Sequence, residues 1–116
     1  MNQHEKMNYV EFPAKDLTAT KAFFESVFGW SFIDYGPEYT AFENQGLDGG
    51  FFQSDLASST EKGAALNVFY SNQLEATLAK VEKAGGSILK PIYSFPGGRR
   101  FHFTEPSGNE FAVWGE

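Results

Sequence analysis

Residues Phe12–Gly29 read FPAKDLTATKAFFESVFG, and residues Phe69–Gly86, displaced by 57 positions, read FYSNQLEATLAKVEKAGG. Aligned without a gap they share Phe12/Phe69, Leu17/Leu74, Ala19/Ala76, Thr20/Thr77, Ala22/Ala79, Glu25/Glu82 and Gly29/Gly86. That is 7 identities in 18 positions, where unrelated sequence would give about one. An internal repeat decides architecture before any single element does. Two copies are too few for a solenoid. The chain is therefore expected to be one domain over 1–116, with module one at about 7–53, a connection at 54–63 and module two at about 64–116. A ligand pocket is expected along the seam between the modules.

Working outward, each half reads as a strand, a helix and three more strands. Asn8–Ala14 alternates apolar and polar residues, the period of a strand. Asp16 follows as a helix N-cap, and Leu17–Phe28 places Ala19, Ala22, Phe23, Ser26 and Val27 on one face before Gly29 stops the helix. Trp30–Tyr35, Tyr39–Glu43 and Leu47–Gln53 read as strands, with Gly49–Gly50 marking a bulge or a close backbone approach. Ser54–Gly63 is polar and aperiodic, which makes it the connection. In the second half Ala65–Tyr70 is a strand and Asn72 the expected cap. Leu74–Ala84 is a helix with Leu74, Leu78 and Val81 inward, and Ser87–Lys90 is a strand running into Pro91. Ser94–Gly98 is expected to be a mobile or ligand-facing loop. Arg99–Thr104 and Glu110–Trp114 then form a hairpin around Glu105-Pro106-Ser107-Gly108-Asn109.

Composition narrows the function classes. The 116 residues suffice for one core, and 13 Phe supply it without any apolar run of membrane-spanning length. With no cysteine, thiolate catalysis, disulfides and Cys-type zinc sites are excluded. A formal charge of −6 opposes a phosphate backbone as partner, so neither nucleic acid nor a membrane is expected. Met1–Lys6 lacks the apolar stretch of a secretion signal, and the expected location is the cytoplasm. The glycine-rich runs lack the P-loop pattern, and no Ser-His-Asp arrangement stands out.

The βαβββ–βαβββ order resembles the vicinal oxygen chelate superfamily, which includes glyoxalase I, extradiol dioxygenases, and fosfomycin and bleomycin resistance proteins. The resemblance is carried by Tyr9–Asp16 with its helix ending in Phe28-Gly29-Trp30, and by Leu74–Gly86 with its Lys83-Ala84-Gly85-Gly86 ending. The closing Phe103-Thr104-Glu105-Pro106-Ser107-Gly108-Asn109-Glu110-Phe111 is similar to the family's F-x-D-P-x-G-N-x-F turn, with Glu105 in place of Asp. The resemblance implies an α+β fold whose two modules make a curled eight-stranded mixed sheet, as two four-stranded halves with concave faces around a ligand cavity and helices outside. It also implies a homodimer. The family holds a divalent metal on its first, fourth, fifth and eighth strands, through His, Glu or Gln that leave an open side for two substrate oxygens. Carried onto this chain, those positions hold Tyr9, the Gly50–Phe52 region, Leu66 and Ala112. Glycine, leucine and alanine side chains offer no lone pair, and a neutral phenol is a poor ligand, so no metal or other cofactor is expected.

The remaining candidates are Glu11, which shares strand parity with Tyr9, and His102, set between Phe101 and Phe103. His4 sits in a polar tail. Gly97-Gly98-Arg99-Arg100 offers loop amides and guanidinium groups to an anion. Tyr9, Tyr70, Phe52, Phe103 and Trp114 are expected as aromatic cavity walls, which suits a flat organic ligand. The expected ligand-binding set is Tyr9, Glu11, Phe52, Tyr70, Arg100, His102 and Trp114, with catalytic residues unknown. The first functional reading is a metal-free protein that binds a planar or cationic small organic molecule. The alternatives are a metal-dependent lyase, isomerase or dioxygenase using Glu11 and His102, and a dimeric interaction module without a ligand.

Overall fold

The computed structural model describes residues 2–116, so Met1 lies outside the described residues. Module one comprises β1 (Tyr9–Ala14), α1 (Leu17–Phe28), β2 (Phe32–Asp34), β3 (Tyr39–Gln45) and β4 (Leu47–Gln53). Module two repeats the plan with β5 (Asn67–Tyr70), α2 (Leu74–Lys83), β6 (Ser87–Phe95), β7 (Gly98–Thr104) and β8 (Glu110–Gly115). The strands form two four-stranded mixed sheets of order β1-β4-β3-β2 and β5-β8-β7-β6, in which β1 and β5 run parallel to their neighbours. No described helix is long and apolar enough to cross a membrane.

Alternation along β1 explains how the sheet is used. Phe12 and Ala14 are buried toward the helices, while Tyr9 and Glu11 face the other way. The helix side is filled with rings: Phe12 stacks on Phe51, Phe24 lies 4.5 Å from Trp30, and Phe28 lies 4.2 Å from Phe69 of the second module. Such offset and edge contacts add to area burial. Asp16 caps α1 by accepting from the Ala19 amide at 3.0 Å, and Gly29 ends it with φ of 71°. The inward face of α1 is Thr20, Phe23, Phe24 and Val27, not the expected set, and Ala22 and Ser26 are exposed. Phe24 turns inward because Trp30, past the helix end, closes back over it instead of opening β2.

Three further expectations are corrected. Asn72 does not cap α2. Gln73 occupies the cap position, and it is the Ser71 hydroxyl that accepts its amide at 3.0 Å. Strand β6 does not stop before Pro91 but runs through it. Ile88 pairs with Phe103, Lys90 with His102 and Tyr93 with Arg100, so bulges fall on either side of Lys90. A bulge tolerates the proline, which has no N–H to give the ladder. Ser94–Gly98 is not a loop but the closing end of the β6–β7 hairpin: Phe95 pairs with Gly98 across a tight Pro96–Gly97 turn.

The turn between β7 and β8 fastens the modules together. The Glu105 carboxylate accepts from the Thr20 hydroxyl of α1 at 2.6 Å and from the Ser107 and Asn109 amides at 3.0 and 3.1 Å. Asn109 Nδ2 donates to the Pro13 carbonyl at 2.6 Å, and its Oδ1 accepts from the Ser58 amide at 2.8 Å. Burial pushes the Glu105 carboxyl above its ordinary range, against the opposing pull of these donors. Glu105→Ala would leave two amides unpaired beside a void and the Thr20 hydroxyl with Ser107 alone. The expected cost is about 3 kcal/mol, read as a lower urea midpoint, with Glu105→Asp recovering part of it.

Candidate functional site

Register places the expected ligand-binding residues on the two helix-free faces. In the first sheet Tyr9, Glu11 and Phe52 share that face, because Glu11 lies beside Gly50 and Tyr39 beside Phe52. In the second, Tyr70 pairs with Trp114, Arg100 with Trp114, and His102 with Ala112. Phe103 does not belong to this set. It is fully buried on the helix side against Phe23 and Phe111, and is a core residue, not a cavity wall.

The first-sheet cluster is a phenol pair on a carboxylate. Tyr39 crosses above Gly50, where an added Cβ would lie 2.2 Å from its hydroxyl. Its Oη donates to Glu11 Oε2 at 2.8 Å and meets Tyr9 Oη at 2.5 Å. Since the Tyr39 proton goes to Glu11, Tyr9 is the donor of the phenol–phenol bond. Burial, reinforced by the bonds to Tyr9 and Glu11, pushes the Tyr39 phenol well above its ordinary range, so it stays a neutral hydroxyl. The sequence feature behind this cluster is Gly50: the close approach expected at Gly49–Gly50 is real. At Gly49 an added Cβ would lie 2.2 Å from the Val10 carbonyl oxygen.

The second-sheet cluster is a polar chain that leads from a buried carboxylate to a half-buried guanidinium. Glu110 Oε1 accepts from the Thr60 amide and hydroxyl at 2.7 and 2.9 Å, and Oε2 lies 2.8 Å from His102 Nδ1. An ionised carboxylate only accepts, so Nδ1 carries the proton and Nε2 faces the Tyr93 hydroxyl at 2.9 Å. The Tyr93 oxygen in turn accepts from Arg100 Nε at 2.5 Å. His102 and Glu110 are 3% and 2% exposed. Burial raises the Glu110 carboxyl, but the His102 and Thr60 donors outweigh it and hold the group below its usual range. Glu110 and Tyr93 were not singled out from sequence. Glu110 has the parity of His102 and Ala112, which is a usable signal. Tyr93 gives none, because the bulges in β6 break the alternation that would put it opposite Arg100.

The expected Arg99–Arg100 anion loop is corrected. Arg99 reaches Glu75 on α2 at 2.5 Å, while Arg100 points to the opposite face, so the two guanidinium groups do not converge. Glu11 and His102 are likewise engaged in separate clusters, one on each sheet. Among the described residues no three His, Asp or Glu side chains gather around a point that an ion would fill. The residues at the superfamily's ligand positions do not fit a metal. Tyr9 is bonded to another phenol, Gly50 is covered by Tyr39, and Leu66 and Ala112 carry no donor atom.

A cavity of about 340 Å³ lies at the module seam, with walls from Val10, Phe12, Trp30 and Phe42 on one side and Phe69 and Phe111 on the other. Of the seven expected ligand-binding residues, Tyr70 alone lines it.

Two outcomes test these clusters. Glu110→Gln replaces one acceptor oxygen by a donor and is expected to cost about 2 kcal/mol at pH 7. Because folding lowers the Glu110 pKa, its stabilisation is present above the unfolded carboxylate value of about 4.3 and is lost as pH falls through the folded one. The gap between parent and variant in urea unfolding should therefore narrow below that pH. Gly50→Ala is expected to displace Tyr39 and break its bond to Glu11, read as a loss of thermal stability that Gly50→Ala/Tyr39→Phe partly restores.

Comparison with known proteins agrees with this architecture. The sequence profile of the Glyoxalase/Bleomycin resistance protein/Dioxygenase superfamily matches residues 6–113. No curated protein sequence matches the chain. Among solved structures, a glyoxalase-related enzyme from Fulvimarina pelagi superposes with a TM-score of 0.80 at 17% identity, over 97% of this chain and 88% of that one. The fosfomycin resistance protein FosX from Listeria monocytogenes gives 0.78 at 17% identity, over 98% and 95% of the two chains. Lactoylglutathione lyase from Agrobacterium tumefaciens gives 0.71 at 19% identity, over 98% and 96%. At these identities the structural likenesses bear on fold alone. Two βαβββ modules, their joining turn and the profile match together make this chain a member of the glyoxalase/bleomycin resistance/dioxygenase superfamily.

Proposed function

We propose that this member binds a small organic molecule without the superfamily's metal, and does so as a homodimer. The observation that carries the reading is the Tyr39 phenol lying over Gly50 and bonded to Tyr9 and Glu11. Two of the family's four ligand positions are thereby taken up by phenols and glycine, and the other two are leucine and alanine. An ion there would have to displace a neutral, hydrogen-bonded hydroxyl and find its remaining donors from water. The ligand contacts in this reading are Tyr9, Glu11, Phe52, Tyr70, Arg100 and Trp114, while the expected contact His102 is buried with both ring nitrogens bonded and acts behind them by holding Tyr93. Aromatic walls with few polar groups suit a flat organic body. Exposed Tyr9, Phe52, Val68 and Tyr70 on the helix-free faces support a partner copy closing over them.

Elemental analysis tests the metal half of the proposal. Protein purified without chelator and then offered Ni, Zn, Mn or Fe is expected to retain well under one ion per chain after desalting. Stoichiometric metal would overturn it. A thermal-shift screen against flat aromatic compounds is expected to raise the melting temperature in a concentration-dependent way, as mass action requires of a ligand that binds only the folded state.

A further inference from the structure

We infer that Arg100 is a receptor for the carboxylate of a flat organic acid. This rests on the small-molecule reading above and names the chemical class it takes. Arg100 is half-buried in a protein of net charge −6, yet among the described residues it makes no ion pair. Its Nε is committed to Tyr93, and its two terminal nitrogens have no hydrogen-bond partner among the described residues. No buried polar side-chain atom among the described residues is left unpartnered, so those nitrogens are open to solvent. Two adjacent guanidinium nitrogens with parallel N–H groups match the two oxygens of a carboxylate.

The fork is held in place before any ligand arrives. Its Cζ lies 5.4 Å from the Phe95 ring and 5.6 Å from the Tyr93 ring. Behind Tyr93 stand His102, Glu110 and Thr60, each hydrogen-bonded to the next, so the guanidinium plane is fixed by a chain anchored in the core. A group already immobilised loses less entropy on binding. Neither Glu110 nor Glu116 is an ion-pair partner of Arg100: Glu110 bonds His102 and Thr60, and Glu116 accepts the Tyr70 hydroxyl at 2.5 Å. Beside the fork, Trp114 is the cross-strand partner of Arg100, and its ring lies 5.0 Å from Tyr70 and 6.4 Å from Phe95. These three rings form the wall on which an apolar, planar body would rest while its carboxylate meets the guanidinium. The expected ligand is therefore an anion, not the cation that the acidic composition alone would favour.

The probe pair is 2-naphthoate and its neutral methyl ester, titrated into the full chain and followed by the Trp114 indole and Arg100 Nε–H resonances in two-dimensional NMR. The acid is expected to shift both and to bind at least about tenfold more tightly than the ester, the size of one charge-assisted bidentate contact. Arg100→Gln should reduce acid affinity about tenfold and so bring the acid–ester ratio close to one, and Arg100→Lys, which keeps the charge and loses the fork, should recover only part of that ratio. Should Arg100→Gln unfold the chain, Arg100→Lys and the acid–ester ratio in the parent decide alone. Equal binding of acid and ester, unchanged acid affinity in Arg100→Lys, or no shift of either resonance at millimolar acid would overturn the proposal. Ester-strength binding at Trp114 would sink the carboxylate assignment yet leave the small-molecule reading standing, whereas stoichiometric metal in the purified protein would sink the metal-free half of that reading.

Discussion

The buried carboxylate of Glu105 organises the molecule. It takes donors from its own turn and from Thr20 on α1, and so joins the last hairpin of one module to the helix of the other. Asn109 extends the same fastening to the Pro13 carbonyl and to the connection at Ser58. A charge removed from water must be surrounded by donors to persist. That requirement fixes the β7–β8 turn, the entry of α1 and the path of the connection at once. The ring-filled core between helices and sheets then has fixed walls to pack against, and Phe28 can lie flat on Phe69 across the module boundary.

With the modules joined in this way, the helix-free faces of the sheets carry what chemistry the chain has. The two faces have diverged although the halves repeat. Glu11 in module one corresponds by the 57-residue offset to Val68 in module two. The first face is governed by neutral phenols gathered on Glu11. The second carries a directed hydrogen-bond chain from Glu110 to Arg100.

Much of this was legible residue by residue. Asp16 and Gly29 bracket α1 as local chemistry requires, and Gly49–Gly50 announced a close approach that Val10 and Tyr39 make. Asn72 misled because a capping preference is a local tendency, and Ser71 was better placed to meet the Gln73 amide. Phe103 misled although alternation sufficed to exclude it: it neighbours His102 on β7, so the two point to opposite faces, and Arg100, His102 and Trp114 share the helix-free one. Tyr93 was hidden for a third reason. An extra residue in a strand reverses the alternation beyond it, and the bulges between Ile88 and Tyr93 depend on how β6 pairs with β7.

The chain alone determined the two-module plan and the residues that open and stop α1, Asp16 and Gly29. These are properties of residue identity and spacing, and no folding is needed to read them. Tertiary structure alone decided that Tyr39 lies over Gly50, that Glu110 meets His102, and that Arg99 and Arg100 part company. Each of those outcomes depends on the register between strands distant in sequence. Register is set by packing a whole face against the core, and no local window of residues contains that information.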